Sequence, residues 1–350
     1  MARIVVAGAG AVGASIAYHL ALAGARDVVL CDRAAVASGS TGKAMGGVRQ
    51  QFSTAPEVRL AQESIRFFAE LGEPLFRQVG YVFLSTSAAG SSELEARREL
   101  QRGLGVPVEL IDPGTIPGLA VDDVLHAVGC WQDGVGDPAE VTRELVRRAA
   151  ARGVEVREGV DARDVERDVL VVACGPWSAE VAAGLGVELP IRPLCRQLVD
   201  TTPVSGLPER LPMIIEAETG FHFRSVGAGL RLAMTESEPR WGWEEKVDDG
   251  LVEDWLARLA RRYPQAAGAR SAHAWAGLYD MTPDAHPIIG GVGDGVYAAC
   301  GFSGHGFMQS PAVGKAAAEE LLHGGSEFDL SPYRLERFGA GAFFPETLVL

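Results

Sequence analysis

The stretch from Arg3 to Asp32 constrains this chain more than any other. Ile4-Val5-Val6-Ala7 is a run of apolar, mostly β-branched residues that reads as a short buried strand. It enters Gly8-Ala9-Gly10-Ala11-Val12-Gly13, a G-x-G-x-x-G turn, and then an apolar helix expected over Ser15 to Ala23. A second strand, Asp27 to Cys31, ends at Asp32, nineteen residues after Gly13. A dinucleotide site requires this order. Gly8 permits the tight turn, Gly10 admits the close approach of backbone to a pyrophosphate, and Gly13 allows helix and strand to pack closely. Ala11 and Val12 of the turn are expected at the cofactor, and the helix start after it offers unpaired N–H groups and a positive dipole end to phosphate. Asp32 can accept hydrogen bonds from ribose hydroxyls, and Arg33 follows it. The motif alone does not choose between NAD and FAD.

The rest of the chain narrows the partners. At 350 residues it can bury a large core, in two domains or one large α/β unit. Its net charge of −14 lacks the basic footprint that nucleic acid requires and gives no attraction to an anionic membrane. Arg3 and the apolar run to Ala25 imitate a signal peptide, but the glycine-spaced turn explains the same residues better. No other stretch is long and apolar enough to span a bilayer, so a cytoplasmic protein is expected. Five scattered cysteines, Cys31, Cys130, Cys174, Cys195 and Cys300, suggest reduced thiols rather than disulfides or zinc.

Past Asp32, the segment Ser38 to Phe52 is rich in small and hydroxyl residues. Ser38, Ser40 and Thr41 suit phosphate or ribose oxygens, and Gly46 and Gly47 suit backbone passing close to a flat ligand; a plain surface loop is the alternative. Helical spacing of Val58, Ala61, Ile65, Phe68 and Leu71 predicts a core-facing helix over Glu57 to Leu71, and Glu93 to Leu104 reads as an exposed one. Asp137-Pro138-Ala139-Glu140 is a helix start, with Asp at the cap and Pro at the first helical position. Asp168 to Ala173 is a buried strand running into Gly175 and Trp177, a second place for backbone to meet the nucleotide. From Ile191 onward, strands separated by turns suggest an antiparallel sheet. Near the C-terminus, Gly301 to Met308 forms a glycine-rich loop opening a small-residue helix from about Gln309 to Leu322.

Five segments together resemble a known family: GAGAVG (8–13), SGSTGKAMGGVRQQF (38–52), ACGPWS (173–178), WAGLYDMTPDAHPIIG (275–290) and ACGFSGHGFMQSPAVG (299–314). The chain resembles the FAD-dependent amine and amino-acid oxidoreductases of the D-amino-acid oxidase superfamily. Within it, the sarcosine oxidase, dimethylglycine dehydrogenase and proline dehydrogenase β-subunit branch is nearest. The resemblance implies an α/β fold with a Rossmann-like FAD-binding domain assembled from noncontiguous segments (1–52, 135–190 and 285–350). It also implies a substrate domain (53–134 and 191–284) with a mainly antiparallel sheet and flanking helices. A small amino acid or secondary amine (proline-, sarcosine- or glycine-like) would lose hydride to the flavin and become an imine. Oxygen or an electron-accepting partner would take the electrons, and an oligomer or a heteromeric complex is possible.

The resemblance also assigns roles. Arg49 would grip the substrate carboxylate, with a structural salt bridge as the alternative. His222 would help the substrate amine lose its proton, or be a satisfied core histidine. His305, crowded by glycines, is expected at the flavin ring, and Tyr279 and Trp275 along the pocket. Ala173, Gly277, Gly301, Ser303, Gly304, Gly306, Phe307 and Met308 complete the expected cofactor contacts. Four departures stand out. Gly277 replaces the cysteine that attaches flavin covalently in monomeric sarcosine oxidases, so noncovalent FAD is expected. Met308 replaces a carboxylate-binding lysine, and Arg231 replaces a lysine tied to oxygen activation. The segment 158–167 is too short for the β-meander that usually supports the adenine end of FAD. The alternatives are an NAD-dependent dehydrogenase and a flavin-carrying or electron-relaying subunit of a heteromeric dehydrogenase.

Overall fold

The computed structural model describes residues 2–345; Met1 and residues 346–350 of the expected FAD-binding segments lie outside the described residues. Ile4–Ala7 is the centre of a six-stranded sheet, as its fully apolar sequence requires, because a parallel strand is covered on both faces. The strand order is Ile288–Gly293, Val296–Cys300, Val169–Val172, Ile4–Ala7, Val28–Asp32, Glu155–Glu158. All neighbours are parallel except the first pair, a hairpin. Ile4 and Val6 pack on one face with the helices Ala11–Leu22 and Gly306–His323, and Val5 and Ala7 on the other with Val29, Leu170 and Val172. The two helices approach closely at Gly314, where a Cβ would lie 2.2 Å from Ser15 Oγ. Helix Ala55–Leu71, inside a segment expected in the substrate domain, buries Leu60, Ile65 and Phe68 in this same core.

Between Glu155–Glu158 and Val169–Val172 the chain makes a single turn, Ala162–Asp164, in agreement with the short spacing. Ala162 and Val165 anchor it against Val5, Val29 and Leu170.

The second sheet has nine strands and is antiparallel apart from one pair, Met213–Glu216 beside Tyr81–Ser85. Its longest partnership joins Arg192–Thr201 to Ser271–Met281, with Arg196 opposite Gly277 and Leu194 opposite Tyr279. Side chains alternate along strands, so Arg196, Gly277, Tyr279, His222 and Ala233 share one face. The opposite face packs Leu230, Leu232, Phe221, Phe223 and Trp255 into a second core, closed by helix Asp249–Arg262. Gly47–Val48, Gly134–Gly136 and Phe76–Arg77 form a small third sheet. Among the described residues, no helix is long and apolar enough to cross a membrane.

Candidate active site

The turn after Ile4–Ala7 is glycine by necessity. Gly8 has φ +101°, and a Cβ there would lie 2.3 Å from Ala173 O. A Cβ on Gly13 would lie 1.9 Å from Gly8 O, so Gly13 closes the turn onto the helix without reaching the cavity beside it. The helix starts at Ala11, earlier than the expected Ser15. Its Ala11 N–H donates to Thr41 Oγ1 at 3.0 Å. Asp32 accepts from Ala9 N–H (2.7 Å, Oδ2) and Ala34 N–H (2.8 Å, Oδ1), which fixes its carboxylate at the strand end.

From this turn a cavity of about 410 Å³ runs to the polar face of the nine-stranded sheet. Of the residues expected at the cofactor, it is lined by Gly8, Gly10, Ala11, Val12, Asp32, Arg33, Ser38, Ser40, Thr41, Gly46 and Gly47, and by Ala173, Gly175 and Trp177. Gly277, Gly304, His305, Gly306, Phe307 and Met308 complete that set. Arg49, His222 and Tyr279 line the same space. Gly13, Gly301 and Ser303 do not.

Gly301 and Ser303 instead lock two motifs together. A Cβ on Gly301 would lie 2.5 Å from Thr282 Cγ2, and Gly301 N–H donates to Asp280 Oδ2 at 2.7 Å. Ser303 adopts φ +52°, and its Oγ accepts from Thr282 N–H at 3.2 Å. Gly304 makes room for Tyr279, whose Cε2 would be 2.4 Å from a Cβ there. Protein packing also explains the glycines of the Ser38–Phe52 segment. A Cβ on Gly46 would lie 2.3 Å from Gly136 O, and one on Gly47 1.6 Å from the Tyr81 hydroxyl.

Arg49 is 1% exposed. Its Nη1 donates to Gln51 O at 2.7 Å, its Nη2 lies 3.4 Å from His305 Nε2, and its guanidinium sits 4.6 Å from the Phe52 ring centroid. His305 stands edge-on to Phe52 and precedes helix Gly306–His323, which starts three residues before the expected Gln309. Two helix N-termini, at Ala11 and Gly306, therefore open on the same cavity.

His222 is buried with Nδ1 2.7 Å from Gly220 O. A carbonyl only accepts, so Nδ1 carries the proton and Nε2 the lone pair. Burial lowers its pKa to about 4, the Gly220 bond opposes the shift, and the Arg49 and Arg196 charges add to it. It is a neutral acceptor at physiological pH, not a ready base. Burial raises the Tyr279 phenol's pKa, and Arg196 and Arg49 oppose that rise.

Arg196 is the charged cavity side chain that motif reading missed. It lines the cavity, is 9% exposed, and stands 5.9 Å from the Tyr279 ring centroid. Only the register of Arg192–Thr201, which sets it opposite Gly277, reveals its direction. Two expectations shift the other way. Arg231 is paired with Asp200 (2.8 and 2.9 Å) and stacked 4.7 Å from the Trp275 ring, outside the cavity wall. Trp275, on the same sheet face, likewise lies outside the cavity wall, its Nε1 donating to Lys43 O at 3.0 Å. Among the described residues, no cluster of side chains suits a metal ion.

The glycine cradle, the fixed acid at Asp32 and the two helix N-termini fit a bound adenine dinucleotide carrying a flat ring system. The chain is 28% identical over 413 residues to FAD-dependent oxidoreductase domain-containing protein 1 of Xenopus laevis, covering 96% of this chain and 82% of that protein. It is 25% identical to glycine oxidase of Geobacillus kaustophilus (strain HTA426), over 95% of this chain and 96% of that one. Its structure is similar to that of L-proline dehydrogenase from P. horikoshii, with a TM-score of 0.89 at 27% identity over 98% of this chain and 99% of the other. These similarities bear out the resemblance read from the motifs and set aside the NAD-dependent alternative. Residues 3–320 match the family described as FAD dependent oxidoreductase (DAO), and the chain belongs to this family.

Proposed function

We propose that this FAD-dependent oxidoreductase oxidises the C–N bond of a small amino acid or secondary amine to an imine, with FAD held noncovalently. The observation that carries this reading is the convergence of Arg49, His222, Tyr279 and His305 at one end of a cavity whose other end is the glycine turn. FAD, when bound, supplies a two-electron acceptor for the hydride of the substrate's α-carbon. Arg49 grips the substrate carboxylate by charge-assisted hydrogen bonds, and its contacts with Gln51 O and His305 hold it in place. His222 Nε2 accepts a hydrogen bond from the amine and so orients it, the oxidation proceeding from the neutral amine that carries a lone pair. The Gly306 helix start turns its free N–H groups toward negative charge in the cavity.

Noncovalent attachment agrees with the absence of a side chain at Gly277, where a Cβ would already lie 3.1 Å from Lys43 Cβ. The cavity-lining thiols also disfavour attachment: burial pushes Cys174 to about 12 and raises Cys31. The division into an FAD-binding unit (1–52, 135–190, 285–350) and a substrate unit (53–134, 191–284) is supported by the two large sheets, drawn from those segments. A cytoplasmic location is consistent with five free cysteines.

The test is an anaerobic panel of amino acids and N-methylated amines added to the purified yellow protein, followed by aeration and peroxide assay. Bleaching by an amino acid is expected; peroxide then marks an oxidase, and its absence a protein acceptor. Protein that neither retains nor accepts FAD, or flavin that no amine bleaches, would overturn the proposal.

A further inference from the structure

The cavity holds more positive charge than one carboxylate needs. Arg49 reaches it from the Ser38–Phe52 segment and Arg196 from the sheet, so two guanidinium groups flank the space above Tyr279 and His222. Arg196 is nine-tenths buried, and its Nε and Nη1 have no hydrogen-bond partner among the described residues. Buried guanidinium donors are costly to leave unsatisfied, and a charged group taken out of water needs an opposite charge.

The neighbouring ionisable groups do not provide one. Asp280 accepts Gly301 N–H at 2.7 Å, alternates to the strand face opposite Gly277 and Tyr279, and makes no ion pair with Arg196. Lys43 is a cation, with Glu245 as its own partner. Asp32, already bonded to two backbone N–H groups, belongs to the glycine turn. The site therefore presents two fixed cations around a neutral histidine.

We propose that Arg196 binds a second carboxylate, making the preferred substrate a dicarboxylic amine: an acidic amino acid or an N-carboxyalkyl amino acid. This deepens the proposed function and rests on it. Arg49 takes the carboxylate adjoining the carbon to be oxidised; Arg196, facing it from the strand Arg192–Thr201, takes the second. The lysine cation lost with the Met308 departure is thus not missed, because the extra cation enters from another element.

The experiment uses the FAD-loaded protein and the variants Arg196→Met and Arg196→Lys. Redox-inert acetate, malonate and succinate are titrated while the flavin spectrum is followed, and KM is measured for glutamate, aspartate and N-carboxymethylglycine against alanine, proline and sarcosine. In the natural protein one of the dicarboxylates should bind about ten- to hundredfold tighter than acetate, the range of a charge-assisted pair. Arg196→Met should abolish that preference while leaving acetate binding and flavin content unchanged, and Arg196→Lys should restore part of it. Arg196→Met should also raise the ligand-free melting temperature, because it removes a buried charge.

Equal binding of mono- and dicarboxylates by the natural protein would overturn the assignment. So would equal weakening of both by Arg196→Met, or loss of flavin with selectivity intact, which would make Arg196 a cofactor contact. If no amine bleaches the flavin, the proposed function fails separately, while the carboxylate titration still decides the role of Arg196.

Discussion

Asp133 offers a test of how the arginine segment is held. It is fully buried; its Oδ1 accepts from Gln50 N–H (3.0 Å) and Gln50 Nε2 (3.2 Å), and its Oδ2 from Gln51 Nε2 (3.1 Å). Both neighbours of Arg49 on the C-terminal side thus hang from one carboxylate. Burial raises its pKa to about 6 against these bonds, which lower it. The unfolded chain releases the proton near the ordinary aspartate value of 3.8. Between those values the folded state binds more protons, so this group's stabilisation is fully present below 3.8 and is lost as pH rises through about 6. From pH 5 to 7.5 the loss is about 1.4 kcal/mol, one pKa unit's worth. Asp133→Asn cannot titrate, so the stability difference, natural protein minus variant, should fall by that amount over the same range. At roughly 2 cal/mol/K per residue of unfolding entropy, this is about 2 °C in melting temperature. Both proteins are melted with saturating FAD at each pH, so that cofactor binding and other titrations cancel in the difference. A difference that stays flat, or that grows with pH, would refute the buried-carboxylate argument.

Three other outcomes follow from the same geometry. Arg337→Ala should cost about 3–5 kcal/mol in a denaturant melt, because it strips the buried Asp284 of its guanidinium partner at 2.8 and 3.0 Å; a loss below about 1 kcal/mol would contradict it. Gly13→Ala should yield protein with little flavin, read from the ratio of visible to ultraviolet absorbance, since its Cβ would overlap Gly8 O. A normal flavin content would mean that the turn can yield. For His222, whose pKa is lowered to about 4, flavin reduction by substrate should show no acid limb between pH 5 and 7.5 that His222→Gln abolishes. Such a limb would restore it as a base.

What was legible in the sequence were features with a local cause. Asp137 caps its helix as expected, accepting from Ala139 N–H (2.9 Å) and Glu140 N–H (3.1 Å). Ile4–Ala7, the glycine turn and Asp32 fall into place because each is dictated by its own backbone. What was not legible depended on distant partners. Ser271–Met281 gives no alternating pattern, since Leu278 and Asp280 pack on one side while Trp275 and Tyr279 occupy the other. Helix Ala88–Gly103 starts before the expected Glu93 because Ser87 caps it, accepting Gly90 N–H at 3.0 Å, which carries the helix through the weak helix formers Gly90, Ser91 and Ser92. Helix Gly306–His323 likewise begins in glycine that propensity would leave out, its start fixed by the packing of Gly304 on Tyr279. Arg196 could be found only through strand register.

The Ser38–Phe52 segment shows why composition misleads at such a site. Its small residues suit a mobile surface loop, yet nearly every one has a structural partner. Ser40 Oγ donates to Leu278 O at 2.6 Å, Trp275 Nε1 to Lys43 O at 3.0 Å, and Arg224 Nε to Met45 O at 2.7 Å. Thr41 caps the first helix, and Asp133 holds Gln50 and Gln51. The segment therefore joins the nucleotide turn to the nine-stranded sheet, and Arg49 inherits its position from both. Small side chains are needed because two sheets converge there, leaving room for little besides backbone and hydroxyls. An arginine held this way, in its proposed role at the substrate carboxylate, is positioned before substrate arrives. Its grip then depends on the junction of the two sheets, so a packing change at Gly47 or Asp133 should act on substrate affinity as strongly as one at the cavity wall.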